Sequence, residues 1–272
     1  MPELPEVQTV AQSLIDGQGL AKGIIGRTIA RAQVEWPKTV ADPDAAEFVR
    51  RIQGQTVTGV GRRAKYIRID LSEDTLLVHL RMSGDLLLGE QEQPLGKFSR
   101  AQIYFEDGVQ MSFDDARKFG RLWLLADPES VFAVLGPELL DDSIQPAAFH
   151  EMLASRNRQL KPLLLDQSFI AGLGNIYVDE ALHAAQLHPL AASNSLDRAK
   201  SDELLAAIRQ VLRDSIKANG SSIDWAYRGG EFQNKFNVYQ KTGEPCPRCG
   251  TPIERIVVGQ RGTHICPSCQ KL

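Results

Sequence analysis

The spacing of apolar residues changes twice along the chain. From Pro5 onward, Val7, Val10, Ala11 and Leu14 recur at helical intervals, and Gly17 and Gly19 end the run. Residues 24–125 then read as strands. Tyr66-Ile67-Arg68-Ile69-Asp70-Leu71 alternates, Leu76-Leu77-Val78-His79-Leu80 is an unbroken buried-type run, and Ala101 to Phe113 folds back through Glu106-Asp107-Gly108 as a hairpin. Antiparallel strands with short turns predict a sandwich or flattened barrel. Beyond the Gly136-Pro137 step and a polar stretch, the period becomes helical over 146–156, 159–166, 175–186 and 197–218. The last of these carries Leu204, Leu205, Ile208, Val211, Leu212 and Ile216 and closes at Asn219-Gly220. A β-hairpin rich in cysteine ends the chain. The pattern predicts an α+β protein. An N-terminal β-sandwich flanked by helices occupies 1–135, a linker 136–145, a helical domain 146–235 and the hairpin 236–272.

All four cysteines of the 272 residues sit in that hairpin, as Cys246-Pro-Arg-Cys249 and Cys266-Pro-Ser-Cys269. Two C-x2-C turns separated by 16 residues suit one tetrahedral zinc ion held by four thiolates. The competing reading is two disulfides. It fits poorly with a chain whose start lacks the basic region and apolar core of an export signal, for which the cytoplasm is the expected location. Four thiolates leave no position for water, so this zinc is expected to be structural.

Composition narrows the picture little. Hydrophobic residues make up 43% and charged residues 24%, ordinary for a globular chain, and no apolar run of membrane-spanning length appears. The net charge of −3 does not announce a nucleic-acid partner, although it divides into −6 over 1–145 and +3 over 146–272. Local clusters carry more. Gly61-Arg62-Arg63-Ala64-Lys65 is a basic turn between strands, and Arg117-Lys118-Phe119-Gly120 interleaves cations with an aromatic. A guanidinium beside a phenyl ring suits a protein that fills a hole in a base stack; a solvated surface turn is the plainer alternative. Residues 168–175, Ser-Phe-Ile-Ala-Gly-Leu-Gly-Asn, place glycines before a helix start, where free amides can hold phosphate. An ordinary helical hairpin with an Asn cap reads the same.

The first six residues, Met1-Pro2-Glu3-Leu4-Pro5-Glu6, admit a chemical reading. Proline at position 2 is small enough to allow methionine removal, which would leave a free secondary amine. An α-amine titrates near pH 8, so a useful fraction is nucleophilic at neutral pH. Glu3 beside it could shuttle protons. A proline-capped helix start explains the same residues without chemistry.

Taken together, these elements resemble the formamidopyrimidine-DNA glycosylase family. The resemblance lies in Pro-Glu-Leu-Pro-Glu-Val at 2–7, Arg-Arg-Ala-Lys-Tyr at 62–66, His-Leu-Arg-Met-Ser-Gly at 79–84 and Asp-Ala-Arg-Lys-Phe-Gly at 115–120. It continues through Leu-Leu-Asp-Gln at 164–167, Ile-Ala-Gly-Leu-Gly-Asn-Ile-Tyr at 170–177, Val-Tyr at 238–239 and Gly-Gln-Arg-Gly-Thr at 259–263. These run in the family's order over essentially the whole chain. The resemblance implies a helix-two-turn-helix in the helical domain and duplex DNA, carrying an oxidised base or an abasic site, in the cleft between domains. Pro2 is then the nucleophile at C1′ of the damaged nucleotide, Glu3 the proton donor, and Glu6 a supporting carboxylate. Base loss would be followed by β- and δ-elimination, with no metal or redox cofactor in the chemistry. Met82, Arg117 and Phe119 would fill the gap left by the everted nucleotide. Lys65, His79, Asn175, Tyr239 and Arg261 would hold phosphates, and Lys161, where the family has a lysine near the site, would join the DNA contacts. The implied protein is a bacterial monomer working on the nucleoid.

Base selectivity is the part this resemblance leaves least fixed. Where the family carries a loop closing over extruded 8-oxoguanine, this chain has Ile223-Asp224-Trp225-Ala226-Tyr227-Arg228-Gly229-Gly230. The opening Pro-Glu-Leu-Pro favours the purine-specific branch over the endonuclease VIII branch, which prefers oxidised pyrimidines. Two other readings remain open at this point: a pyrimidine-preferring relative, and a non-catalytic lesion-binding zinc-finger protein.

Overall fold

The computed structural model describes residues 1–19, 21–90, 96–140, 144–222 and 229–272. They form two compact units, Met1–Ala133 with Asn219–Gly230, and Val134–Ala218 with Glu231–Leu272. Six of the eight residues expected to form a base-covering loop, 223–228, lie outside the described residues.

In the first unit, helix α1 (Leu4–Asp16) starts at a capping box formed by Glu3 and Glu6 and buries Leu4, Val7, Val10, Ala11 and Leu14. Gly17, at φ 103°, turns the chain into a two-residue ribbon, β1 (Gly17–Gln18) with β2 (Ala21–Lys22). Next come β3 (Ile29–Val34), β4 (Val40–Asp42), helix α2 (Ala45–Ile52), β5 (Val57–Arg63), β6 (Tyr66–Leu71), β7 (Thr75–His79) and β8 (Gly84–Glu90). Strands β9 (Ser99–Phe105), β10 (Val109–Asp115) and β11 (Arg121–Leu125) follow, and the short α3 (Glu129–Phe132) ends the stretch. The strands make two sheets, ordered β3-β9-β10-β8 and β4-β11-β7-β6-β5, antiparallel except for β4 beside β11. One apolar core joins them. Ile29, Ile103, Met111 and Phe113 from the first sheet share it with Ile67, Ile69, Val78 and Leu122 from the second, under Val7 and Leu14 of α1.

The sandwich and the hairpin through 106–108 are as the pattern predicts. Helix α2 is not: residues 24–125 read as strands. Asp44 caps this helix, its Oδ1 accepting from the amides of Ala46 and Glu47 at 2.9 Å. Only Phe48 and Ile52 are buried along it, too few to show a period. The unbroken apolar run of β7 has a cause on each face. Leu76 and Val78 enter the core, while Tyr66, Trp123 and Phe132 cluster on the other side of the sheet at ring separations of 5.7–5.9 Å.

The second unit contains α4 (Pro146–Ala154), α5 (Leu160–Leu165), α6 (Asn175–Ala184), α7 (Arg198–Lys217) and the hairpin β12 (Glu254–Val258) with β13 (Arg261–Ile265). Helix α6 is its hub. Every residue from Ile176 to His183 is buried, including Asp179, Glu180 and His183, and the Tyr177 hydroxyl pairs with Ser215 Oγ at 2.7 Å. Three polar groups in one buried helix require partners: Asp179 finds them in Lys161 of α5 and His264 of β13, Glu180 in residues 237–239, and His183 in Cys246.

Candidate active site

The start of α1 places Pro2, Glu3 and Glu6 together, all buried. Glu6 ties this corner down. Its Oε2 accepts the Glu3 amide at 2.8 Å, and its Oε1 accepts the Ser221 amide at 2.7 Å and the Ser221 hydroxyl at 3.0 Å. Gly220, at φ 76°, lets that strand of chain approach: a Cβ there would lie 2.9 Å from Glu6 Oε1. The supporting carboxylate thus fixes the backbone next to the candidate nucleophile. Ser221 was not among the expected residues, and its partner is 215 positions away.

Lys65 sits in the turn from β5 to β6, after Ala64 at φ 52°, and is buried, as is His79 at the end of β7. The His79 ring packs edge-on against Tyr66 at 4.7 Å, and its Nδ1 accepts the Arg81 amide at 3.0 Å. Burial first, then the charges of Arg81 and Lys65, push its pKa down to about 3. The ring is therefore neutral, and with Nδ1 accepting, its proton resides on Nε2. That leaves one N–H donor able to serve a phosphate oxygen. Two turns present the expected gap-filling residues. Met82 and Phe119 are exposed at 38% and 52%, and Arg117 Nη1 lies 3.7 Å from Met82 Sδ.

In the second unit the turn between α5 and α6 is clamped by Gln167. Its amide nitrogen donates to the carbonyls of Leu165 and Leu173 at 2.9 and 2.8 Å, and its oxygen accepts the Gly172 amide at 3.0 Å. Asn175 opens α6, and its Nδ2 donates to the Gly262 carbonyl at 3.0 Å. Lys161 corrects an expectation. Placed among the DNA contacts by resemblance, it has no exposed surface; its ammonium bonds Asp179 Oδ1 at 2.5 Å and the Gly262 carbonyl at 3.1 Å. A buried ammonium so engaged cannot grip a phosphate. It holds instead the residue next to Arg261, which is exposed at the hairpin tip after Gly259 (φ 55°) and Gln260 (φ 62°). Asp179 Oδ2 completes the arrangement by accepting the His264 amide at 2.9 Å.

Glu180, also missed in the sequence, collects the Asn237 amide at 2.9 Å, its side-chain amide at 3.0 Å, and the amides of Val238 and Tyr239 at 3.0 and 2.8 Å. It fixes the backbone at Tyr239, whose ring meets His264 at 5.0 Å. The signal for both residues was present in Val178-Asp179-Glu180-Ala181: two adjacent acids inside an otherwise apolar helix.

The Sγ atoms of Cys246, Cys249, Cys266 and Cys269 all lie within 4.8 Å of one another, and the cysteines form no disulfides. Tetrahedral zinc with Zn–S bonds near 2.3 Å needs sulfurs about 3.8 Å apart, so the donor set fits a structural zinc. His183 Nε2 approaches Cys246 Sγ at 3.4 Å, the position of a donor to a metal-bound thiolate.

Residues 1–122 match the Formamidopyrimidine-DNA glycosylase N-terminal domain, 135–226 the Formamidopyrimidine-DNA glycosylase H2TH domain, and 243–272 a zinc finger found in FPG and IleRS. The chain belongs to the formamidopyrimidine-DNA glycosylase family. It is 45% identical to the formamidopyrimidine-DNA glycosylase of Protochlamydia amoebophila, with all of both chains covered. With the Enterococcus faecalis glycosylase of the same name it shares 41% identity over all of this chain and 98% of that one. Among solved structures, MutM in complex with DNA containing carbocyclic 8-oxo-G superposes with a TM-score of 0.91 at 36% identity, covering both chains fully. The Lactococcus lactis Fpg bound to DNA with an abasic site gives 0.91 at 35%, again over both full chains. No described helix is long and apolar enough to cross a membrane.

Proposed function

We propose that this protein is a bifunctional DNA glycosylase and abasic-site lyase that removes oxidised purines from duplex DNA in base excision repair. The observation that carries the reading is the corner at Pro2: a proline amine, once Met1 is removed, held beside Glu3 by a carboxylate that anchors the adjoining backbone. With Met1 attached the nitrogen is an amide and has no nucleophilic pair.

The free Pro2 nitrogen uses its lone pair to form a bond to C1′ of the lesion nucleotide. The C1′–N9 bond breaks, its electron pair leaves with the base, and the proton shed by the Pro2 nitrogen neutralises the departing base. Glu3 delivers a proton as the sugar ring opens, producing an iminium between Pro2 and C1′. That cation acidifies the 2′ proton, and successive eliminations release the 3′ and 5′ phosphates. Neutral His79, Lys65, Asn175, Tyr239 and Arg261 hold backbone phosphates, contacts that carry no sequence information and suit an enzyme that scans all DNA. Met82, Arg117 and Phe119 occupy the space of the everted nucleotide, offsetting the few kcal/mol lost on unstacking. The protein works as a monomer in the cytoplasm, on nucleoid DNA.

Borohydride trapping on duplexes containing 8-oxoguanine or an oxidised pyrimidine tests this. A covalent adduct mapped to Pro2 and formed faster with 8-oxoguanine supports the proposal. Preference for the pyrimidine keeps the chemistry and moves the substrate. No adduct from protein shown by mass to lack Met1 refutes it.

A further inference from the structure

Met82 and Phe119 belong to separate connections, 80–83 between β7 and β8 and 116–120 between β10 and β11, yet the structure binds the two turns into one body. Each apolar residue follows a basic residue in the left-handed region, Arg81 at φ 54° and Lys118 at φ 61°. Each turn closes on a glycine packed against the same buried ring. A Cβ on Gly84 would lie 3.0 Å from Phe113 Cε2, and one on Gly120 would lie 2.3 Å from Phe113 Cζ. Asp115, 1% exposed, stands between the turns. Its Oδ2 accepts the Gly120 amide at 2.7 Å and its Oδ1 accepts the Arg117 amide at 3.1 Å. The Ser83 hydroxyl donates to the same Oδ1 and accepts the Arg117 amide at 3.1 Å. On the far side, Lys118 Nζ lies 4.1 Å from the Trp36 ring centroid.

We infer that Asp115 and Ser83 are positioning residues that lock Met82, Arg117 and Phe119 into a single preformed wedge for base eversion. The inference rests on the proposed gap-filling role of those three side chains. Backbone held at φ near +60° by non-glycine residues is unfavourable, so such turns persist where surrounding contacts enforce them. The clasp supplies that enforcement across both turns. A wedge already assembled enters the stack without ordering two loops at the moment of insertion. Neither residue touches DNA in this scheme; both act through the turns.

Ser83→Ala removes the bridging hydroxyl and leaves the Phe113 floor intact. Steady-state excision from an 8-oxoguanine duplex is compared with strand cleavage at a preformed abasic site, where no base must be unstacked. A 2-aminopurine beside the lesion reports opening of the stack. Excision and the fluorescence rise should slow about tenfold, the size of one or two ordered side chains, while abasic cleavage stays within about twofold. In the Phe119→Ala background, Ser83→Ala should add almost nothing. Asp115→Asn should reproduce the same substrate split. Equal losses on both substrates, full activity on both, or additive effects of Ser83→Ala and Phe119→Ala would overturn the inference. If Phe119→Ala alone leaves excision unchanged, the gap-filling role itself is wrong, and the wedge falls with it.

Discussion

Replacing Lys161 by methionine keeps the unbranched stem and deletes the ammonium. Both Lys161 and Asp179 have side chains with no exposure, so the substitution strands a carboxylate in the interior. Breaking a buried ion pair from one side typically costs about 3–5 kcal/mol, because the remaining charge keeps its desolvation penalty. Asp179 retains the His264 amide at 2.9 Å, which places the expected loss toward the lower end of that range. Each kcal/mol moves the thermal midpoint of a domain of about 150–250 residues by roughly 2–4 °C, and of a smaller one by more, so a loss near about 3 kcal/mol gives a fall of at least about 6 °C. The double variant Lys161→Met/Asp179→Asn removes the stranded charge while keeping an acceptor for the His264 amide, and should recover most of the loss. Differential scanning calorimetry on the four proteins of this cycle measures the coupling directly. DNA binding supplies a second readout, since the Gly262 carbonyl loses one of its two side-chain donors beside Arg261. A midpoint change under about 2 °C for the single variant, or no recovery in the double, would refute the reasoning.

Glu6→Gln leaves one acceptor oxygen where three donors now converge, so we expect about 1–3 kcal/mol of lost stability and slowed excision; unchanged values of both would remove Glu6 from the supporting role. His79 has a folded pKa of about 3 against 6.5 unfolded, so the unfolded chain binds the extra proton between those values. Its contribution is complete above pH 6.5 and declines as pH falls toward 3, by up to about 1.4 kcal/mol per pH unit. Thermal midpoints of wild type and His79→Gln across pH 7 to 4 should converge as the pH drops, and parallel curves would contradict the assignment. Cys249→Ser should lower bound zinc measured by elemental analysis and weaken DNA binding; full binding without zinc would show that the hairpin needs no metal to present Arg261.

The apolar periods located most of the elements, because α1, β6, β7 and α7 each bury a full face. They failed at α2, whose two buried residues leave nothing periodic and whose start depends on Asp44 capping. The spacing of the cysteines was sufficient for the metal site, since ligand geometry follows from two short turns. The polar contacts were less visible. Glu6 could be named a supporting carboxylate, but Ser221 is far away in sequence and has no motif of its own. Lys161 was assigned to DNA by resemblance, whereas its environment is set by Asp179, 18 positions later on the next helix, and by a carbonyl in β13. A residue type can be read from sequence. Whether its charge faces solvent depends on packing that pattern alone does not encode.

The return of Asn219–Gly230 to the first unit has consequences for dividing this protein. The regions matched to relatives run 1–122, 135–226 and 243–272, and look like three beads that could be cut and rejoined. The physical partition is different, since 219–230 belongs with Met1–Ala133. A fragment ending near Ala133 would fold without the Ser221 amide and hydroxyl that Glu6 Oε1 accepts, loosening the carboxylate beside Pro2. The chain passes between units at three places rather than one, so grafting the N-terminal region onto a foreign partner would discard part of its own active corner. Insertions and fusions are better placed at the chain's C-terminus, where Lys271 and Leu272 are exposed.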